Sequence, residues 1–103
     1  MSNRLELITS FVENGIGVVD VGTDHGYLPV MLVKRGYKGN IIATDINEGP
    51  LQKAKQNLRD TNCEDAVELI LCDGLDGCNP EMVDTIIAVS YTHLRAHETD
   101  SYL

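Results

Sequence analysis

The sequence predicts an α/β fold, one half of a doubly wound parallel sheet, and three observations carry that prediction. Short β-branched runs alternate with segments whose apolar residues recur at helical spacing. The first run, Val18 to Val21, leads into Gly22-Thr23-Asp24-His25-Gly26, a glycine turn opening a helix, which is the layout that holds nucleotide-like ligands at a sheet edge. Carboxylates recur where the runs end, at Asp20, Asp45 and Asp73.

Asn3 followed by Glu6 has the spacing of a capping box, and Leu5, Ile8, Phe11 and Val12 form an apolar stripe before Gly15, which predicts a helix over residues 4–14. Val18 to Val21, flanked by glycines, suits a central parallel strand buried on both faces. Pro29 fits the first turn of the next helix, where its missing N–H has no partner to lose, and Gly36 ends it. Asn40 to Asp45 is a second strand with a carboxylate at its C-terminal end. Gly49-Pro50 starts a third helix, with Leu51, Ala54 and Leu58 on one face, that runs to Asp60. Val67 to Gly74 is a third strand and turn, and Asp84 to Val89 is a fourth strand. Right-handed crossovers would bring the C-terminal ends of these strands to one side.

Composition narrows the class. A chain of 103 residues is at most one small domain, and 43% hydrophobic content is ordinary for a globular one. Its apolar runs are far shorter than the roughly 18 residues of a membrane span, and the N-terminus lacks a signal-peptide pattern, so a cytoplasmic location is the expectation. Cys63, Cys72 and Cys78 are odd in number and lack C-x-x-C spacing, which points to free thiols and to no zinc ribbon. A formal charge of −8 offers no broad basic face for nucleic acid. Lys34, Arg35 and Lys38 after one helix, and Lys53, Lys55 and Arg59 on the next, read as solvated helix faces.

The same acidity selects the ligand. A dinucleotide loop receives a pyrophosphate on backbone amides, and a carboxylate at Asp24 would repel it. S-adenosylmethionine has no phosphate and carries a sulfonium and an ammonium, so charge favours it over NAD. Asp45, some twenty residues past the turn, stands where an acid accepts both ribose hydroxyls, and Asp73 before Gly74 can accept from an adenine amino group.

With those residues assembled, a resemblance can be stated. Asn3-Arg4-Leu5, the string from Val19 through Asp20-Val21-Gly22-Thr23-Asp24-His25-Gly26 to Pro29, Asp45 with Glu48-Gly49-Pro50, and Cys72-Asp73-Gly74-Leu75 resemble the bacterial tRNA adenine-N1 methyltransferases acting at adenine 22 of the D-arm. The resemblance implies a Rossmann-like class I methyltransferase half-domain of about four parallel strands over residues 1–89. It also implies S-adenosylmethionine as cofactor and tRNA as partner, with no metal and no membrane. Its cofactor-binding residues would be Asp20, Gly22, Thr23, Asp24, Gly26, Asp45, Ile46, Asp73 and Gly74. Asp24 and His25 would serve the reacting centre; for His25, a hydrogen bond tying the turn to the helix start is an equal alternative, and Tyr27 either stacks on a base or packs under the loop. Arg4 either meets the cofactor carboxylate or RNA, or is a plain helix-terminal arginine. Two other functions stay open, another class I methyltransferase acting on a small molecule or protein, and a non-catalytic fragment that binds the cofactor.

That family continues with a glycine-rich motif and a helical domain after the fourth strand. Here the sequence reads Ser90 to Leu103, which resembles translated adapter read-through, so residues 90–103 are expected to be a non-native, disordered tail. His93, His97 and Glu98 have the spacing of a zinc helix, but the origin of the tail explains them better. Without a fifth strand, Thr85 to Val89 would be an open apolar edge, and low stability or self-association is expected.

Overall fold

The structure, a computed structural model, describes residues 2–88; Val89 and the tail, with His93, His97 and Glu98, lie outside the described residues. The elements are α1 (Ser2–Ser10), β1 (Gly17–Val21), α2 (Tyr27–Lys34), β2 (Asn40–Asp45), α3 (Glu48–Asp60), β3 (Val67–Leu71) and β4 (Thr85–Ile87). The sheet order is β3-β2-β1-β4 with all three pairings parallel, in register Val19 with Ile42 and Ile86, and Ala43 with Leu69. The expected α/β half-sheet is therefore present. None of the described helices is long and apolar enough to cross a membrane. All three cysteines are free thiols, Cys63 buried and the other two half-buried.

Side chains alternate across each strand, and the two faces are covered differently. Val18, Ile41, Ala43 and Val67 point to the face where Leu28 and Leu32 of α2 and Leu58 of α3 pack, with Ile8 and Val12 at its margin. Leu32 and Leu58 are fully buried there. Each such leucine contributes about 1.5–3 kcal/mol by leaving water. Val19, Val21 and Ile42 point to the other face, against Ile70, Cys78, Val83 and Ala88. Cys78 and Val83 belong to the β3–β4 connection, whose regular structure is one 3-10 turn, Pro80–Met82. Among the described residues, helices cover one face and this connection the other.

The first helix departs from expectation at both ends. It already runs at Ser2, so Asn3 lies inside it rather than capping it, and it stops at Ser10 rather than near residue 14. Thr9 and Ser10 donate their hydroxyls back to the Glu6 and Leu7 carbonyls, and Phe11 and Val12 close tight turns onto Ile8 and Thr9. Phe11, placed by its spacing in the apolar stripe, is 77% exposed as a result. The remaining elements agree with the sequence to within two residues, with one difference that matters: Asp20 sits within β1 rather than closing it.

Asp84 ties the entry of β1 to β4. Its Oδ2 accepts from the Ile16 N–H at 3.1 Å, its Oδ1 from the Gly17 N–H at 3.2 Å, and its own N–H donates to the Gly17 carbonyl at 2.9 Å. The backbone donors of Ile16 and Gly17 hold its carboxyl below the ordinary 3.8. Stability from such a group is complete above the ordinary value and is lost as pH falls through the depressed one. Asp84→Ala is expected to melt at a lower temperature than the parent at pH 7, with the gap narrowing as pH is taken below 3.8. A pH-independent gap would contradict this account.

Candidate cofactor site

The candidate site lies at the C-terminal ends of β1, β2 and β3, where loops of a parallel sheet converge. After Val21 the chain turns through Gly22 at φ 69°, Asp24 at 59° and Gly26 at 76°. Three left-handed residues among five coil the loop tightly, and Asp is among the few residues with a side chain that tolerate the conformation. Gly26 is required for a second reason: a Cβ there would stand 3.1 Å from the Cβ of Ala54, a fully buried residue of α3. Gly26→Ala should cost about 1–2 kcal/mol from backbone conformation alone, more if α3 is pushed away, as urea unfolding would measure. A variant as stable as the parent would show that the loop has another way to pack.

Asp45 fastens this loop. Its Oδ2 accepts from the Asp24 N–H at 3.2 Å and its Oδ1 from the Asn47 N–H at 3.0 Å, while the residue is 7% exposed. Each oxygen keeps a second lone pair for a further donor. Three more bonds fix the frame. The Thr23 N–H donates to the Thr44 carbonyl at 2.8 Å, the Asn57 side chain to the His25 carbonyl at 2.7 Å, and the Thr44 hydroxyl to the Gly74 carbonyl at 3.1 Å. Thr44 and Asn57 escaped the sequence reading. The one available signal for Asn57 was its place three residues after Ala54, on the helix face that meets the loop.

Asp20 and Asp45 both alternate onto the helix-covered face. Asp20 is 4% exposed, and burial, with Asp45 adding to it and Thr23 opposing it, pushes its carboxyl up to about 7. The Thr23 hydroxyl is buried and, although it draws the Asp20 value down, reaches no partner at hydrogen-bond distance. The geometry therefore gives a hydroxyl near Asp20 rather than one bonded to it.

The other candidates face solvent. Asp24 and His25 are exposed by 56% and 36% at the side chain, with His25 Nδ1 3.4 Å from Asp24 Oδ2. The His25 and Tyr27 rings stack at 5.4 Å and 12°. Asp73 is exposed two residues beyond β3, held beside Asp45 because the Cys72 N–H donates to the Asp45 carbonyl at 3.0 Å. Gly74 follows at φ 61°. Ile46, Leu71 and Leu75 are exposed by 61%, 54% and 42% along the same edge. The structure thus gathers Asp20, Gly22, Thr23, Asp24, Gly26, Asp45 and Gly74 at the strand ends, with Thr23, Asp24, Gly26, Asp45 and Gly74 held by hydrogen bonds, and leaves the side chains of Asp24, His25, Ile46 and Asp73 exposed. A separate concavity of about 370 Å³ lies between α3 and β3, lined by Leu51, Lys55, Leu58 and Leu69 among others, away from the strand ends. Among the described residues no cluster of three or more metal-ligating side chains occurs.

Known proteins resemble this chain in sequence and fold. The Bacillus subtilis tRNA (adenine(22)-N(1))-methyltransferase is 29% identical over 86 residues, which is 84% of this chain and 36% of the relative. The ribosomal protein L11 methyltransferase of Staphylococcus haemolyticus is 34% identical over 90 residues, 87% of this chain and 28% of that one. Among solved structures, a putative tRNA (m1A22) methyltransferase of Streptococcus pneumoniae in complex with S-adenosyl-L-methionine superposes with a TM-score of 0.77 at 38% identity, covering 85% of this chain and 42% of that one. M. capricolum TrmK in complex with S-adenosyl-homocysteine gives 0.77 at 32% identity, covering 85% and 40%. The chain thus spans about a third of the length of these curated relatives and about two fifths of those solved chains. The sequence pattern described as a methyltransferase domain matches residues 1–89, and with the parallel sheet and the bonded glycine loop it shows that the chain belongs to the methyltransferase-domain family.

Proposed function

We propose that the strand-end cleft binds S-adenosylmethionine and that the protein methylates N1 of adenine 22 in the D-arm of bacterial tRNA. The observation that carries the cofactor assignment is the bonded pair of glycine loop and Asp45, with Asp20, Asp24 and Asp73 around it. Four carboxylates at one strand-end cleft suit a cationic ligand and repel a pyrophosphate. The residues fit the group: the left-handed turn from Gly22 to Gly26 packs closely on α3 beside the strand ends, and Asp45 keeps two free lone pairs for ribose hydroxyls. Ile46 would give adenine an apolar wall, Asp73 and Gly74 would receive its amino group, and Gly22, Thr23, Asp24 and Gly26 would hold the methionine end.

When bound, the cofactor supplies an electrophilic methyl group on sulfur. Neutral adenine N1 has a lone pair to attack it, so the protein has little acid-base work to do and acts chiefly by orientation. The methylated base is cationic, and Asp24 on the rim would stabilise that charge as it develops. His25, paired with Asp24 and stacked on Tyr27, sets the position of that carboxylate. The tRNA assignment is supported by the relatives acting at adenine 22 and by the Asp20 to Pro29 string.

Titration of the chain with S-adenosylmethionine in a calorimeter, followed by methyl transfer to a bacterial tRNA transcript, tests both parts. Absence of heat defeats the cofactor assignment. Heat without transfer favours the second reading, a cofactor-binding part of the domain that needs residues beyond those described; on that reading residues 1–89 are the native part and 90–103 a foreign tail.

We also infer that the chain associates with itself through β4, where Ile86 is 57% exposed and, among the described residues, no strand pairs with the side away from β1. Light scattering should show mass rising with concentration and Ile86→Lys should suppress it; a monomer throughout would refute the edge contact.

A further inference from the structure

Asp20 and Asp45 lie on neighbouring strands and face the same way, yet they are held differently. Asp20 is in register with Ala43, which sets Asp45 on the diagonal of the ladder, a separation of about 7–8 Å between backbones. Both oxygens of Asp45 accept backbone N–H groups. Among the described residues no donor reaches the Asp20 carboxyl at hydrogen-bond distance, and the nearby Thr23 hydroxyl is buried without a partner. β4 places Ile87 beside Asp20, and Asp45 is the charged group that acts on it. A buried carboxyl next to an acid has its neutral form stabilised, here until pH rises through about 7. An unliganded cleft of this kind holds a proton as well as an acid.

We propose that Asp20 meets the cofactor as a neutral carboxylic acid and releases its proton to solvent as the cation binds, the Thr23 hydroxyl turning to donate to the carboxylate so formed. This deepens the cofactor assignment above and rests on it. The O–H bond of the acid breaks, the proton passes to the buffer, and the anion left behind offsets one positive charge of the ligand. Binding is then linked to pH, because the proton competes with the cofactor for the same carboxyl. The proton also gives the cleft a means of discriminating by charge, since a neutral nucleoside would not displace it.

The test is calorimetry of the 103-residue chain with S-adenosylmethionine at pH 6, where the ligand's own amine stays protonated, in phosphate and in imidazole buffers, which differ in ionisation enthalpy. The expected result is a heat that differs between the buffers in proportion to about one proton released per ligand bound. Affinity should rise about tenfold from pH 6 to 8 relative to Asp20→Asn, whose heat at pH 6 should be the same in both buffers. Thr23→Val should move the rise to higher pH, and an unmoved profile would remove the hydroxyl from the proposal. Buffer-independent heat from the parent chain overturns proton release while leaving the cofactor assignment intact. Absence of heat at every pH overturns that assignment and the proposal with it.

Discussion

Asp20→Asn is expected to stabilise the unliganded chain at pH 8 while flattening its stability between pH 4 and 8. The folded state raises the carboxyl from 3.8 to about 7, so it binds the proton more tightly than the unfolded chain does. Stability from this group is therefore greatest below the unfolded value, declines as pH rises, and levels off above the folded one. At 1.36 kcal/mol per pH unit the difference amounts to about 4 kcal/mol as a ceiling, because water entry and small shifts of the loop relieve part of it. Asn has the shape of the neutral acid and carries no such penalty, though its amide must still find partners. Urea unfolding of both chains at several pH values between 4 and 8 should show profiles that converge at the acid end and separate at the other. Parallel profiles would mean that Asp20 is not the group that titrates.

Asp45→Ala should abolish measurable cofactor binding and loosen the glycine loop together. The Asp24 N–H and the Asn47 N–H each lose a charged acceptor, and the left-handed backbone of Asp24 loses what holds it. Hydrogen bonds to a charged group contribute about 1.5–3 kcal/mol each, so losing two ribose contacts would weaken binding by a factor of 100 or more, about 3 kcal/mol at the least. Asp45→Asn provides the control, since it keeps one oxygen for the loop and gives up the charge. Affinity unchanged in the alanine variant would sink the ribose assignment, and lost affinity in a chain that melts like the parent would separate the ligand contact from the loop.

How much of this was legible in sequence depended on the range of the forces involved. The strands Asn40–Asp45 and Val67–Leu71 were readable because apolar continuity is local, and the turn because glycine spacing is. The end of α1 was not, since the back-bonding of Thr9 and Ser10 competes with a stripe of apolar residues that looks sound on paper. Phe11 shows the outcome. Asp45 was expected at the strand end, but not as the acceptor that holds Asp24, twenty-one positions away in sequence. The burial of Asp20 and the unpaired Thr23 hydroxyl follow from neighbours on other strands, which no local pattern encodes.

The unequal covering of the sheet has a kinetic consequence. On one face α2 and α3, with α1 at the margin, bury Val18, Ile41 and Ala43, and the helices must move before those positions meet water. On the other, Val19, Val21 and Ile42 are covered by a connection whose regular structure is a single short turn, and it can lift away while the parallel ladder stays intact. Amide hydrogen exchange should accordingly be fast from Asp73 to Val83 and slow in β1 and β2. The carbonyl of Gly74, held by the Thr44 hydroxyl, lies at the base of that flap, so a ligand clasped against Asp73 and Gly74 would slow exchange along its whole length. Occupancy of the cleft would then be readable on the far side of the sheet.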